Sequence, residues 1–341
     1  MQIKDGVIHR NDMNKDAMGG SELITHAIAE RVSPEALNGV QIIVSRLRDQ
    51  LDTTKHRVYH CHDLPQDPES KHLANGGWEK FHKLVFVSHW QRQAYINHFG
   101  IPWHKTIVMR NAIDPIQVDL GKKLVQKDEI NIVYHTTPHR GLELLVPAFQ
   151  ALRQKYDNIN LHVYSSFNVY GWGERDAHFK TVFEEIEKPD NGMYLYDTLD
   201  NASMKQRLVD MDIFAYPSIW PETSCISLIE AMSAGCLCVH SDYGGIHETA
   251  SNWTYMYDFD ERQHHHIQSF VDMMDNAITL YKDMPEGLVN RLKGQKSFMD
   301  IYYSWDVRAA EWEGFLTALK DMPLELKQRG VKVQPFKYNT G

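Results

Sequence analysis

The sequence predicts an α/β protein with largely parallel sheets arranged in two domains. Three observations carry that expectation. Short apolar, β-rich runs alternate along the chain with segments of helical periodicity. The 341 residues suffice for two α/β domains of ordinary size. One polar stretch with several lysines and no periodicity, 117–127, interrupts the alternation and reads as the linker.

Strands are expected at 40–45, 57–60, 83–87 and 106–109 before that break, and at 130–134, 160–164, 193–196, 213–216 and 237–240 after it. Helices fill the gaps. The first, 21–31, places Leu23, Ile24, Ala27 and Ile28 on one face. Others are expected at 89–99, 142–156 and 204–210, and a last one carries Ala309, Trp312, Phe315 and Leu316. The domains read as 1–118 and 128–322, with a basic, proline-bearing tail, 323–341, that packs on the first domain or stays loose. The first domain is short, and its opening strand is weakly signalled.

Hydrophobic residues make up 43% of the chain, which supports full cores rather than disorder. The net charge of −9 gives no global basic field for nucleic acid or anionic lipid. That balance disfavours nucleic acid as a partner and leaves a local basic patch open. Cys61, Cys225, Cys236 and Cys238 lack metal-ligand spacing and read as reduced thiols, hence a cytoplasmic protein. The N-terminus shows no apolar leader, and no apolar run reaches membrane-spanning length.

The most informative stretch is 216–235, which holds Glu222 and Glu230. Apolar Ile213, Phe214 and Ala215 end a strand, Pro217 and Pro221 break the chain, and a helix is expected from Ser224 to its stop at Gly235. Glu222 then precedes the helix and Glu230 lies about two turns inside it. Between them, the N–H groups of Ser224, Cys225, Ile226 and Ser227 form an anion site. Two carboxylates flanking such a site suit a sugar nucleotide, one for sugar hydroxyls and one for ribose.

Four other motifs bear on chemistry. Gly19 and Gly20 precede the first helix, where backbone can approach a ligand. His60-Cys61-His62-Asp63 ends a strand, and the two histidines alternate to the same face. His135 and Arg140-Gly141 follow the first strand of the second domain. Asp210-Met211-Asp212 enters a strand and reads as structural, and His264-His265-His266 reads as an exposed loop or helix start. No metal site is expected.

The run from Tyr216 to Gly235, with Gly244-Gly245 and Glu248 after it, resembles the E-x7-E signature of retaining GT-B glycosyltransferases, especially the large GT4 family. Phe86-Val87-Ser88-His89-Trp90-Gln91 and Arg110-Asn111-Ala112-Ile113-Asp114 also resemble family stretches, read mainly as architecture. The resemblance implies a GT-B fold, two Rossmann-like domains with a cleft between them, and here a shortened N-terminal domain. It implies transfer of a sugar from a nucleoside diphosphate sugar, UDP- or GDP-linked, to an acceptor hydroxyl, with retention, without metal and without a cofactor. It gives catalytic roles to Glu222 and to a histidine at the strand end, where sequence does not choose between His60 and His62, and His62, nearer the loop, is favoured. Arg140, Glu230, Ser224, Cys225, Ile226, Gly20 and His135 become donor-binding. His135 stands where the family usually places an arginine, so a second pyrophosphate cation is missing. A sugar-nucleotide epimerase and a non-catalytic sugar-nucleotide-binding module stay open as alternatives.

Overall fold

The computed structural model describes residues 1–10, 19–48 and 50–326. The chain forms two compact units. One comprises Met1–Met13, Thr25–Met109 and Ala309–Gly341, and the other Asn14–Ile24 and Arg110–Arg308.

The first unit is built on strands β1 (Gln2–Lys4), β2 (Val7–His9), β3 (Val40–Val44), β4 (His56–Cys61), β5 (Lys83–Phe86) and β6 (Thr106–Val108), in the order β2-β1-β3-β4-β5-β6. The inner strands from β3 to β6 are parallel. β3 is buried along its whole length, as a strand covered on both faces must be. The opening hairpin was under-read in the sequence. β1 pairs antiparallel with both β2 and β3, through a turn whose Asp5 and Gly6 have φ of 50° and 78°. Helix α1 (Gly20–Arg31) from Thr25 onward, the short α2 (Pro34–Leu37) and α3 (His89–Phe99) complete it. Its core gathers Ile43, Tyr59, Trp78, Phe81, Phe86 and Tyr95.

In the second unit, strands β7 (Ile130–Tyr134), β8 (Ile159–Tyr164), β9 (Met193–Tyr196), β10 (Ile213–Tyr216), β11 (Leu237–Asp242) and β12 (Tyr255–Asp258) form one sheet, ordered β12-β11-β10-β7-β8-β9. Every pairing is parallel. The chain steps outward from β7 through β8 to β9, then returns to the other side of β7 at β10. That reversal is the Rossmann order, and its switch point lies between β7 and β10, where open α/β sheets collect ligands.

Helices α4 (Leu120–Lys123), α5 (Leu142–Arg153), α6 (Lys180–Ile186), α7 (Asn201–Leu208), α8 (Ile226–Ser233), α9 (Ile246–Ala250), α10 (Gln263–Asp283) and α11 (Glu286–Tyr302) follow in turn. Helix α12 (Trp305–Lys320) starts in this unit, and from Ala309 its residues cluster with the first. The stretch 117–127, expected as a linker, holds α4 and lies within the second unit. Its Lys123 is buried, with Nζ donating to the carbonyls of Leu208 (3.0 Å) and Ala234 (2.7 Å). Of the tail read at 323–341, residues from 327 onward lie outside the described residues, as does Met18.

Candidate active site

The loops after β7 and β10 meet at the switch point. Gly141, with φ of 132°, packs so tightly that a Cβ there would lie 2.2 Å from the Pro217 carbonyl oxygen. Ile219 N donates to the Arg140 carbonyl at 3.2 Å. This backbone contact brings Arg140 to Glu222. Arg140 Nη1 donates to Glu222 Oε1, and the Tyr216 hydroxyl donates to the same oxygen. Burial opposes charge on Arg140, and the adjacent Glu222 carboxylate more than offsets it, holding the guanidinium well above its ordinary range. Burial likewise pushes the Tyr216 phenol up, so it remains a donor.

The Glu222 backbone is clamped as firmly as its side chain. Glu222 N donates to Tyr243 O at 3.2 Å, and Gly245 N donates to Glu222 O. Gly244 has φ of 83°, and a Cβ on it would lie 2.5 Å from Glu222 O and 2.6 Å from Glu222 N. Only glycine fits there.

Helix α8 begins at Ile226, two residues later than expected, with Cys225 as N-cap and no side-chain cap bond. Ile229 N, bonded to Cys225 O at 3.2 Å, makes the first helical bond, so Ile226, Ser227 and Leu228 present N–H groups without an intrahelical acceptor. Ser224 lies before the cap, and its carbonyl accepts from Asn111 Nδ2 at 3.5 Å. Glu230 is buried on the helix. Its Oε1 accepts from Asn201 Nδ2 at 2.6 Å and lies 3.9 Å from Lys205 Nζ, both on α7. Burial raises the Glu230 carboxyl above its ordinary value, and Asn201 and Lys205 act against that rise.

His135 follows β7 and packs edge-on to Phe214, ring centroids 5.1 Å apart. Burial lowers it from the ordinary 6.5 to about 3, so it is a neutral imidazole. Both of its ring nitrogens lack a partner, as do the buried Thr136 Oγ1, Thr137 Oγ1 and Asn111 Oδ1. Unpaired buried polar atoms are costly, and His135, Thr136 and Thr137 carry them on consecutive residues after β7.

Residues 121–283 match the family model described as glycosyl transferases group 1. That match lies within the second unit. Over 222 residues the chain is 24% identical to a phosphatidylinositol N-acetylglucosaminyltransferase subunit of Arabidopsis thaliana, covering 64% of this chain and 47% of that protein. The chain therefore spans about half the length of that curated relative. Among solved structures, a glycosyltransferase from Rickettsia africae superposes with a TM-score of 0.64 at 15% identity, over 92% of this chain and 85% of that one. The Anabaena protein HepE, in complex with UDP-glucose, gives 0.58 at 15% identity, over 77% of this chain and 72% of that one. These likenesses establish the GT-B architecture of two Rossmann-like domains.

Gly19 and Gly20 cluster with the second unit. A Cβ at Gly19 would lie 2.6 Å from Tyr170 Cε1, and one at Gly20 would lie 3.0 Å from Ile226 Cδ1. Gly20 thus packs against the side chain of the first residue of α8. In the other unit, His60 is fully buried on β4, edge-on to Trp312 at 5.1 Å. His62 lies just past the strand, half-buried, its Nε2 3.1 Å from His60 Nε2. Burial lowers His62 to about 4.

Asp212 is a structural clamp. Its buried carboxylate accepts from Lys127 Nζ (2.6 Å), Asn131 N (2.8 Å) and Tyr281 OH (2.7 Å). His264 to His266 start α10, with His266 buried against the Tyr257 hydroxyl at 3.1 Å. Among the described residues no group of three His, Cys, Asp or Glu is placed to hold a metal, and no helix is long and apolar enough to cross a membrane. Sequence reasoning missed Tyr216, Asn201, Lys205 and the Thr136-Thr137 pair. Tyr216 was visible as the strand's last residue. Asn201 and Lys205 reach Glu230 only through the crossover from β9 to β10, which no local pattern announces.

Proposed function

We propose that this chain is a metal-independent, retaining glycosyltransferase that moves a sugar from a UDP- or GDP-sugar to an acceptor hydroxyl in the cytoplasm. The observation that carries the reading is Glu222, a buried carboxylate held by Arg140, Tyr216 and the Gly244 backbone beside the uncapped start of α8. The bond from the anomeric carbon to the diphosphate breaks, the acceptor oxygen takes its place, and the acceptor proton passes to the departing phosphate oxygen. Glu222 orients the donor sugar at that carbon. Arg140 spends one N–H on Glu222 and keeps others for the leaving diphosphate, where they join the free N–H groups of α8. Glu230 accepts from ribose hydroxyls. The unpaired His135, Thr136 and Thr137 offer neutral hydrogen bonds in place of a second cation. His62 serves from the first domain, with 1–118 as the acceptor side and 128–322 as the donor side. The UDP-glucose complex of HepE favours a uridine nucleotide.

Calorimetry with UDP and GDP, followed by release of nucleoside diphosphate from UDP-glucose, UDP-N-acetylglucosamine and GDP-mannose, tests this. We expect one nucleotide to bind selectively and turnover to persist in EDTA. Binding of neither nucleotide overturns the reading, and activity lost in EDTA but restored by Mg²⁺ overturns its metal-free part. Interconversion of sugars without an acceptor identifies an epimerase instead.

A further inference from the structure

The acidic chain contains one long stretch without acid. From Lys80 to Met109 there is no Asp or Glu, while Lys80, Lys83, Arg92 and Lys105 are present with exposed His89, His98 and His104. The turn at 103–105 gathers three of these cations: Lys105 belongs to it, and Lys83 and Arg92 contact it. Lys83 opens β5 and donates from Nζ to His104 O at 2.6 Å. Lys105 immediately precedes β6 and donates to Phe81 O at 2.8 Å. Both stand at the amino ends of their strands, away from the carboxyl ends where such sheets collect ligands. Glu79, just before the stretch, lies beside Lys105.

Trp103 sits in the middle of this surface. It is 60% exposed, more than any other described aromatic residue among the exposed hydrophobics. The Arg92 guanidinium lies 3.6 Å from its ring centroid, and Arg92 Nη2 is 2.7 Å from His89 Nδ1. An exposed indole costs free energy in water. Set against a guanidinium, with Lys83 bonded to the next residue and Lys105 two residues on, it has the composition of a headgroup-level anchor, in which the ring enters the interfacial region and the cations meet lipid phosphates.

We propose that this face of the first unit docks on an anionic lipid bilayer surface, with Trp103 inserted at headgroup depth and Arg92, Lys83 and Lys105 on the lipid phosphates. The attachment is peripheral and reversible, since a single ring and a few charges give weak partitioning.

Co-sedimentation of the full chain with phosphatidylcholine vesicles, with and without phosphatidylglycerol, tests it. Binding should require phosphatidylglycerol and fade in high salt. Arg92→Gln should lower the partition coefficient about fivefold, one interfacial charge being worth about 1 kcal/mol. Trp103→Ala should lower it severalfold while the thermal melt stays unchanged, and Trp103→Phe should restore part of it. Absence of binding to anionic vesicles overturns the proposal, as does binding that neither variant weakens. Capture by heparin or single-stranded RNA without vesicle binding assigns the face to a soluble polyanion and also overturns it.

Discussion

Arg140 and Glu222, 82 residues apart in sequence, form one partly buried ion pair at the switch point of the second sheet. Their tasks are therefore coupled. Without the guanidinium, Glu222 Oε1 keeps only the Tyr216 hydroxyl as donor, and Arg140 holds a carboxylate whatever else it binds.

Glu222→Gln should abolish transfer while leaving the fold intact. Arg140→Ala strands a buried carboxylate, so it should cost about 3 kcal/mol in stability as well as activity. It should also weaken diphosphate binding more than nucleoside binding, by roughly 10-fold or more for the lost charge-assisted contact. A double-mutant cycle in transfer rate should be strongly non-additive. Additive losses would show that the two side chains act separately.

Gly244 should be nearly as sensitive as Glu222 itself. Gly244→Ala places a methyl group against the Glu222 backbone at a φ that costs about 1 kcal/mol without any clash. The displaced loop should lose most transfer activity while circular dichroism stays native. Near-normal turnover in that variant would show that the clamp is incidental.

Much of this site was legible in local pattern. Glu222, Glu230, the strand before them and the glycines after them all stand between Ile213 and Gly245, and each obeys a short-range rule. The Arg140–Glu222 pair was not legible, because it depends on β7 and β10 being neighbours, which follows from the crossover and not from either segment. The buried state of His135 was hidden for the same reason: Phe214, which covers it, belongs to β10. The opening hairpin was missed because its strands have three residues each, too short for a periodic signal. The start of α8 was placed two residues early because a cysteine N-cap announces nothing.

Glu230 should report on pH. Its folded carboxyl is raised by burial, so it takes up a proton above the ordinary carboxylate range as pH falls, and a protonated carboxyl is a poorer ribose acceptor. Nucleoside diphosphate affinity should therefore weaken on mild acidification. Asn201→Ala removes a contact that holds the pKa down, so the loss should begin at higher pH and affinity at neutral pH should fall about 5- to 10-fold. Calorimetric titration of UDP or GDP across pH checks this, and a pH profile unchanged by Asn201→Ala would refute it.

The buried histidines should make the second unit acid-labile. Burial lowers His135 from 6.5 to about 3 and His240 from 6.5 to about 4. A depressed folded pKa contributes stability that is fully present above the unfolded value and is lost as pH falls toward the folded one. Below pH 6.5 the unfolded chain binds protons that these rings refuse. Each ring should then cost about 1–2 kcal/mol between about pH 7 and about pH 5. His135→Phe isolates one contribution, because the ring packs on Phe214 and its nitrogens have no partners to lose. The variant should match or exceed the parent at neutral pH, and its advantage should grow steadily on acidification. Urea unfolding midpoints measured at several pH values decide it. Parallel curves for the two proteins would mean that His135 is protonated in the fold, and the neutral imidazole assigned to the donor site would be wrong.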